Sequence, residues 1–324
     1  MPILPRTALS LMLAYQRSFP GVSCASARRA ISNRPAVRVL CLAAAVLHTI
    51  PCLAADTGNQ YCSASTTSAS QQHCKQPPST EKASTPVTQE TRRFSTGMAW
   101  RANAKDNEDL IDQLLKHNVV QSKRVEEAMR AIDRGNYVSK TRAYQDAPQT
   151  IGYHVTISAP HMHAYALHIL EDHLKPGMTA LDVGSGSGYL ASCMAQMVGP
   201  TGRVVGIDHV KELVDMSVTN VKKGEERQYL EDGRMKLVVG DGRQGFADAA
   251  PFDAIHVGAA AAEVPKALLE QLKEGGRLVI PVGPEHGDQS LDQADKLAGG
   301  EIKWERLMGV RYVPLTSLDH QLGH

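Results

Sequence analysis

A glycine-rich turn is the clearest chemical signal in the sequence. Residues 184–188 read Gly-Ser-Gly-Ser-Gly, directly after an apolar run at Thr179–Val183 and directly before a stretch of helical periodicity at Tyr189–Val198. Glycine lets the backbone turn tightly and approach a ligand without a Cβ clash, and a helix that starts there presents unpaired N–H groups. Taken alone, the turn indicates either a ligand-binding loop or a close-packed connection.

The spacing of these glycines and an acidic neighbour distinguish two classes of ligand. The dinucleotide fingerprint is G-x-G-x-x-G, whereas this turn has G-x-G-x-G and Tyr189 in the sixth position. Asp182 stands just before the turn, where a carboxylate suits a cationic ligand and would repel a pyrophosphate. The combination resembles the first motif of class I S-adenosylmethionine methyltransferases, whose loop holds the methionine part of the cofactor.

Two further acidic residues follow in the order that this resemblance implies. Asp208 ends the second apolar run, 20 residues after Gly188, and a carboxylate at that place can accept both ribose hydroxyls. It could instead be a helix N-cap, a role that Asp fills well. Asp241, beside Gly240, follows the third run. The resemblance implies contact with the adenine, and the alternative is a plain turn.

Two segments before the glycine turn carry a closer resemblance. Asp146–Gly152 reads Asp-Ala-Pro-Gln-Thr-Ile-Gly, and Thr156–Ala164 reads Thr-Ile-Ser-Ala-Pro-His-Met-His-Ala. Both are similar to the signature of the animal-type protein-L-isoaspartate (D-aspartate) O-methyltransferase family, and the similarity extends from Met98 to the C-terminus. Other stretches that share it are Met98–Trp100, Gly206–His209, Lys211–Asp215, His256–Ala260 and Tyr312–Thr316.

The family resemblance implies a defined reaction. A methyl group passes from S-adenosyl-L-methionine to the free α-carboxylate of an L-isoaspartyl residue, or to the side chain of a D-aspartyl residue, in damaged proteins and peptides. The ester collapses to a succinimide that can reopen to normal aspartate. Because a carboxylate with a pKa near ~4 is ionised at neutral pH, the reaction needs in-line positioning and desolvation, and no strong general base.

The resemblance also assigns the site residues. Ser158 is predicted to be the catalytic residue, with a hydroxyl that orients the substrate carboxylate without attacking it. The alternative is an N-cap or turn serine ahead of Pro160. No metal ion is expected. The predicted cofactor-binding residues are Thr156, Ile157, His163, Asp182, Gly184, Ser185, Gly186, Gly188, Asp208, Gly240, Asp241, Thr316 and Gln321.

Three stretches depart from the pattern of the family. Tyr137–Gln145 is one residue longer than is common in the animal enzymes, and Glu285–Lys303 differs in sequence. The tail after Thr316 ends Leu-Asp-His-Gln-Leu-Gly-His and lacks the usual charged and aromatic character. The sequence therefore leaves open whether this tail closes over the cofactor.

Apolar periodicity predicts the fold class. Helical patterns at Asn107–Lys116, Lys123–Ile132 and His161–Leu174 precede a region in which strands and helices alternate. This order predicts an α/β fold with a Rossmann-like, doubly wound, mainly parallel sheet and added N-terminal helices. The predicted strands are Thr179–Val183, Arg203–Ile207, Lys236–Val239, Ala254–Val257, Arg277–Val282 and a candidate at Leu307–Tyr312. The predicted later helices are Tyr189–Val198, Lys211–Lys222 and Pro265–Leu272.

Composition divides the chain into an extension, residues 1–97, and a catalytic domain, residues 98–324. The first acidic residue is Asp56, and six arginines precede it. Together with a short apolar run at Val39–Leu47, this makes residues 1–55 a candidate targeting segment, or a stretch with no targeting role. Asp56–Thr96 is rich in Ser, Thr, Gln and Pro, a composition that predicts disorder.

Charge and cysteine content narrow the partners and the compartment. A formal net charge of +1 and 5% aromatic residues give no case for nucleic acid as a partner. The partners implied by the resemblance are isoaspartyl and D-aspartyl proteins and peptides, and the family precedent is a monomer. Only Cys193 falls in the catalytic domain, so a cytosolic location is expected, with delivery to a membrane or organelle through residues 1–55 as the alternative.

Two other functions are compatible with the motifs. A small-molecule or nucleic-acid methyltransferase is one. The chain lacks the Asp/Asn-Pro-Pro-aromatic motif used for base amines, and its only Pro-Cys sequence, Pro51-Cys52, lies outside the catalytic domain. A catalytically silent cofactor-binding adaptor is the other. Relatives of that kind carry long C-terminal extensions, and this chain ends 8 residues after Thr316, so no such module is expected.

Overall fold

A central sheet with helices packed on it makes up the part of the chain that a computed structural model describes, residues 103–323. The predicted extension at residues 1–97, its targeting segment at residues 1–55 and the motif at Met98–Trp100 lie outside the described residues. The helices are α1 (Asn107–Lys116), α2 (Lys123–Ala131), α3 (Pro160–Leu170), α4 (Tyr189–Val198), α5 (Lys211–Val221), α6 (Arg227–Glu231), α7 (Lys266–Gln271) and α8 (Leu318–Leu322). The strands are β1 (Gln149–Gly152), β2 (Val155–Ile157), β3 (Thr179–Val183), β4 (Arg203–Asp208), β5 (Met235–Val239), β6 (Phe252–Val257), β7 (Leu272–Val282), β8 (Gln289–Lys296) and β9 (Ile302–Val310).

The main sheet has seven strands in the order β5-β4-β3-β6-β7-β8-β9. The pairings from β5 to β7 are parallel, and β8 and β9 extend the sheet in the antiparallel sense. β3, β4 and β6 are buried over almost their whole length, which is typical of parallel strands covered on both faces. The predicted α/β, doubly wound, Rossmann-like fold is confirmed.

The order of the strands reverses at β3. The chain leaves β3 for β4 and β5 and then returns to β6 on the other side of β3. Ligands of such sheets bind outside the carboxyl ends of the strands at this reversal. The glycine turn follows β3, Asp208 ends β4, and Asp241 follows β5. These predicted features therefore lie side by side at one edge of the sheet.

Alternating residues of the strands form two apolar cores, one on each face of the sheet. Ala180, Val204 and Ala254 belong to the core shared with α1 to α4. Leu181 and Val205, one position further along their strands, belong to the core shared with α7. This period of two is what a strand buried on both faces requires.

The N-terminal helices add to the first of these cores. Leu110, Ile111 and Leu114 of α1 and Val125 and Met129 of α2 are almost fully buried, and each such side chain stabilises the fold by about 1.5–3 kcal/mol. Side-chain caps at Asp106 and Ser122 begin the two helices, as is favoured for these residue types. No helix within residues 103–323 is long and apolar enough to cross a lipid bilayer.

Several boundaries differ from the predicted ones. α3 ends at Leu170, because a 3-10 turn at Glu171–His173 replaces its last predicted turn. β7 already begins at Leu272. β9 spans Ile302–Val310 and so lies earlier than the predicted strand at Leu307–Tyr312. Strands β1, β2 and β8 were not predicted.

Candidate active site

The glycine turn adopts a conformation that favours glycine at each of its three glycines. Gly184, Gly186 and Gly188 have φ angles of 70°, 49° and 85°, in the left-handed region where other residues cost about 1–3 kcal/mol. The amides of Gly184 and Ser185 both donate to the Ile207 carbonyl oxygen, at 2.9 and 3.1 Å. The turn is therefore held against the end of β4, with Gly188 as the N-cap of α4.

Asp208 connects the end of β4 to the same turn. One carboxylate oxygen accepts from the Gly186 amide at 3.1 Å, and the other accepts from the Val210 amide at 3.1 Å. Burial raises the pKa of Asp208, and these two amides oppose the shift. The N-cap of α5 is Val210 and has no side-chain bond, so the N-cap alternative for Asp208 does not hold. A carboxylate offers about four acceptor sites, so Asp208 can accept two more donors.

Asp182 has a partner that was not predicted. Its carboxylate is 2% exposed and accepts from Nδ1 of His256 at 2.8 Å. His256 lies on β6, directly opposite Asp182 in the parallel register. The two residues are 74 positions apart, and the strand pairing that brings them together was not part of the prediction. The carboxylate of Asp182 is thus oriented by an imidazole just below the glycine turn.

A pocket opens where β3, β4 and β5 end. Five predicted cofactor residues line it: Gly184, Asp208, Asp241, Thr316 and Gln321. Other residues of its wall are Val155, Val183, Ile207, His209, Gly242, Gly258, Ala259 and Val313–Leu315. The structure therefore brings together the ends of three strands and the C-terminal segment, which are far apart in the sequence.

Gly240 and Asp241 follow β5, and Asp241 lines the pocket whereas Gly240 does not. The Asp241 carboxylate accepts from the backbone amide of Arg243 at 3.0 Å and forms an ion pair with its guanidinium at 2.8 Å. The hydrogen bond from Arg243 lowers the pKa of Asp241. The Gly240 amide donates to the Asp208 carbonyl oxygen at 2.9 Å. The segment is therefore a capped 3-10 turn fixed to the end of β4, not a loose loop.

The C-terminal tail reaches the pocket in spite of its unusual sequence. The Gln321 amide oxygen lies 2.7 Å from Nε2 of His209, and the Gln321 amide nitrogen donates to the Tyr153 carbonyl oxygen at 3.0 Å. Because the amide group can only donate through nitrogen, the oxygen must accept from His209. One side chain therefore joins the tail, the end of β4 and the β1–β2 hairpin.

The β1–β2 hairpin covers the glycine turn. The ideal Cβ position of Gly186 lies 3.2 Å from Ile151 and 3.8 Å from Val155. The hairpin turns at Tyr153 and His154, both with positive φ angles, 51° and 60°. Turns of this kind fit the twist of a hairpin, although they usually contain Asn or Gly. The β1–β2 hairpin, which joins the two family motifs, therefore lies over the glycine turn.

Ser158 belongs to a second cluster, directly after β2. Its carbonyl oxygen accepts from the Arg134 guanidinium at 2.8 Å, and its side chain is close enough to Tyr312 to act on the pKa of that phenol. Burial raises the pKa of Tyr312 to about 12, and Ser158 opposes the shift. The N-cap of α3 is Ala159, so the N-cap alternative for Ser158 does not hold.

The other predicted residues near Ser158 do not line the pocket at the strand ends. Ile157 and His163 are buried, and Thr156 is exposed. Nδ1 of His163 lies 3.3 Å from the Arg134 guanidinium. Burial, followed by the charge of Arg134, holds the pKa of His163 well below its usual value. Arg134 is thus a residue of this cluster that the sequence motifs do not indicate.

A larger surface groove lies on the other side of the hairpin. It has a volume of about 550 Å³, and its walls include Tyr137, Ile151, Met216 and Lys223. None of the predicted site residues lines it. Within residues 103–323, no group of three or more His, Cys, Asp or Glu side chains is arranged to hold a metal ion.

Comparisons with known proteins agree with this architecture. The family model described as Protein-L-isoaspartate(D-aspartate) O-methyltransferase (PCMT) matches residues 104–320. Protein-L-isoaspartate O-methyltransferase 1 of Arabidopsis thaliana is 53% identical over 67% of this chain and 94% of the relative. The protein-L-isoaspartate O-methyltransferase of Caenorhabditis elegans is 52% identical over 69% of this chain and 98% of the relative.

A solved structure matches the same region. It is the crystal structure of a protein-L-isoaspartate O-methyltransferase from Plasmodium falciparum in complex with S-adenosyl-L-homocysteine. The two chains share 37% sequence identity with a TM-score of 0.61, and the match covers 65% of this chain and 98% of that chain.

Proposed function

Because the chain belongs to the protein-L-isoaspartate(D-aspartate) O-methyltransferase family, we propose that the pocket at the strand ends holds its methyl donor and that Ser158 meets its substrate. The protein is an S-adenosyl-L-methionine-dependent methyltransferase that acts in the repair of isoaspartyl proteins. The observation that carries the site assignment is the contact of the Asp208 carboxylate with the Gly186 amide. This contact joins the glycine turn to the end of β4 at one edge of the sheet.

The residues at this edge fit the cofactor. Gly184 lines the pocket, and the nearest heavy atom to its ideal Cβ position is 3.9 Å away, so the absent side chain leaves room for a ligand. Asp208 keeps free acceptor sites for the two ribose hydroxyls. The cofactor supplies a methyl group activated by its sulfonium charge. The buried carboxylate of Asp182 lies below the turn, where it favours a cationic ligand.

The remaining predicted residues take roles according to their positions. Gly186, Ser185 and Gly188 shape the turn that holds the methionine part, and Gly240 and Asp241 contact the adenine. Thr316 and Gln321 close the pocket from the C-terminal side. The cofactor would have to extend beneath β2 to contact Thr156, Ile157 and His163, since these residues follow Val155 of the pocket wall.

Ser158 is proposed to orient the substrate. Its hydroxyl donates to one oxygen of the isoaspartyl carboxylate and leaves the other oxygen free to attack the methyl group in line. The carboxylate is already ionised at neutral pH, so no proton has to be removed. Fixed positioning and exclusion of water supply the rate enhancement. The D-aspartyl side chain is the second substrate, and the ester of either residue proceeds to a succinimide.

A matched set of peptides tests this function. The full chain is incubated with methyl-labelled S-adenosyl-L-methionine and peptides that contain L-isoaspartate, D-aspartate or L-aspartate at one position. We expect label on the first two peptides and none on the third. Equal labelling of all three would reject the repair function, and cofactor binding without labelling would favour a silent adaptor.

We also propose that the enzyme works as a monomer, without a metal ion, in the cytosol. Cys193 is the one cysteine within residues 103–323, and it is buried and forms no disulfide bond, as suits a reducing compartment. Light scattering after size exclusion should give the mass of one chain. Activity should survive chelators, and fractionation should recover the protein with the cytosol.

A further inference from the structure

Arg134 is a buried cation without a carboxylate partner. Its side chain is 0% exposed, and no ion pair involving it occurs within residues 103–323. Its hydrogen bonds go to three neutral acceptors instead, the carbonyl oxygens of Ala143 and Ser158 and Nδ1 of His163, at 3.0, 2.8 and 3.3 Å. A charge buried in this way is costly, so its presence beside Ser158 calls for a function.

The guanidinium stays charged in this environment. Burial lowers the pKa of Arg134 to about 10, which is still well above neutral pH. The face of the Tyr189 ring, 5.4 Å away, partly stabilises the charge. The planar group points three donors in three fixed directions, an arrangement that a lysine ammonium on a flexible stem does not reproduce.

The contact with His163 fixes the proton on that imidazole. A guanidinium can only donate hydrogen bonds, so Nδ1 of His163 must be the unprotonated acceptor and Nε2 must carry the proton. Protonation of Nδ1 would place a donor against a donor. Every charged or titratable neighbour that acts on His163 does so from one of four elements. These are Arg134 after α2, His161 on α3, His256 on β6 and Tyr189 on α4, whose ring lies at a tilt of 46° to the imidazole.

We propose that Arg134 is a positioning residue for methyl transfer, which fixes the Ser158 peptide and holds His163 as a neutral donor through Nε2. The inference rests on the proposed role of Ser158. Arg134 does not touch the substrate. It acts through the peptide carbonyl of Ser158 and through the tautomer of His163, so that the Ser158 hydroxyl keeps one position and the imidazole keeps one tautomer at every pH near neutrality.

Three variants separate positioning from packing. Arg134→Met removes the charge and all three donors while keeping the length of the side chain. Arg134→Lys keeps the charge but not the planar arrangement of donors. Arg124→Met is the matched control, because the Arg124 guanidinium also donates to backbone carbonyls, those of Glu171 and Leu174, away from the site. We expect kcat on an isoaspartyl peptide to fall roughly 10- to 100-fold in Arg134→Met. Arg134→Lys should recover part of the loss, and Arg124→Met should keep the wild-type kcat.

The tautomer provides a readout that loss of structure does not imitate. In histidine-labelled wild-type protein, NMR at pH 7 should show His163 as the neutral Nε2–H form. In Arg134→Met both tautomers should appear, and the acidic limb of the kcat profile should move to higher pH. An imidazolium or an Nδ1–H form in the wild type would overturn the proposal, and so would an unchanged kcat in Arg134→Met. The wild-type spectrum tests the tautomer of His163 by itself. It can therefore overturn the proposal even if Arg134→Met does not fold or the peptide is not methylated.

Discussion

The Asp208 carboxylate accepts a hydrogen bond from the Gly186 amide, 3.1 Å away, across a gap of 22 residues in the chain. This contact ties the end of β4 to the middle of the glycine turn after β3. It orients the carboxylate so that its free acceptor sites face the pocket that Gly184 and Asp241 also line. This edge of the pocket is thus fixed by backbone and side chain together.

Replacement of Asp208 by Asn should weaken cofactor binding. The variant keeps the shape but loses the charge and half of the acceptor capacity, and hydrogen bonds to charged groups are worth about 1.5–3 kcal/mol. Calorimetry should therefore show a dissociation constant for S-adenosyl-L-homocysteine that is roughly 10- to 100-fold higher. Asp215→Asn, an exposed change on α5, is the control and should bind as the wild type. An equal affinity in the two variants would contradict the role of Asp208.

Ser158→Ala should separate catalysis from cofactor binding. Without the hydroxyl the substrate carboxylate loses one orienting donor, so kcat should fall by about 10-fold or more. The affinity for S-adenosyl-L-homocysteine should stay close to that of the wild type, since Ser158 does not line the pocket at the strand ends. Ser139→Ala, at an exposed serine, controls for the loss of a hydroxyl. Unchanged turnover would remove Ser158 from the site.

Gln321→Ala should open the contact between the tail and the hairpin. The variant removes the two hydrogen bonds of the Gln321 side chain, to His209 and to the Tyr153 carbonyl, each worth about 0.5–1.5 kcal/mol. Stopped-flow displacement should show faster release of S-adenosyl-L-homocysteine by roughly 5- to 10-fold. Gln228→Ala, on the exposed surface of α6, should leave the release rate unchanged. If both variants release the ligand at the wild-type rate, the tail does not close the pocket.

Gly188→Ala should destabilise the fold more than a matched glycine change. Gly188 has φ 85°, and a Cβ there would lie 3.1 Å from Cβ of Ser217. Gly233 has a similar φ of 78° with nothing within 4 Å, so Gly233→Ala reports the cost of the conformation alone, about 1 kcal/mol. Urea unfolding should show an additional loss of about 1 kcal/mol or more for Gly188→Ala. Equal losses would mean that the helix and turn are not tightly packed there.

Folding stability should fall in acid partly through His163. Its pKa is lowered in the folded state by burial and by Arg134, so below pH ~6.5 the unfolded chain binds a proton that the native state does not. The free energy of unfolding therefore rises with pH in this range, by up to about 1.4 kcal/mol per unit for one proton. The slope between pH 5 and 7 should be smaller in His163→Asn than in the wild type. An identical slope would show that His163 titrates normally in the fold.

The sequence predicts the middle of the sheet because β3 is a short, mostly apolar run between clear turn residues, with Asp182 as its one charged residue. β8 escapes prediction, since it is buried through polar residues such as Gln289 and Gln293 and lacks an apolar alternation. The β1–β2 hairpin escapes as well, because its strands are four and three residues long and its turn is Tyr153-His154 rather than a glycine turn. Whether such short segments form strands depends on the residues they pack against, and not on their own sequence pattern.

The site residues divide in the same way, into those that a local sequence pattern predicts and those that depend on tertiary contacts. The glycine turn and Asp208 are predictable because their positions relative to a strand end determine what they can do. His256 and Arg134 are not, since one acquires its role from the register of β6 against β3 and the other from contacts made 9, 24 and 29 residues away. Such roles depend on tertiary packing, which no local pattern contains.

A crystal structure of the protein with S-adenosyl-L-homocysteine and an isoaspartyl peptide would test the central claim most directly. The measurement is a pair of distances. We expect both ribose hydroxyls within about 3 Å of the Asp208 carboxylate and a peptide carboxylate oxygen at a similar distance from the Ser158 hydroxyl. A ribose bound elsewhere, or a peptide carboxylate remote from Ser158, would contradict it.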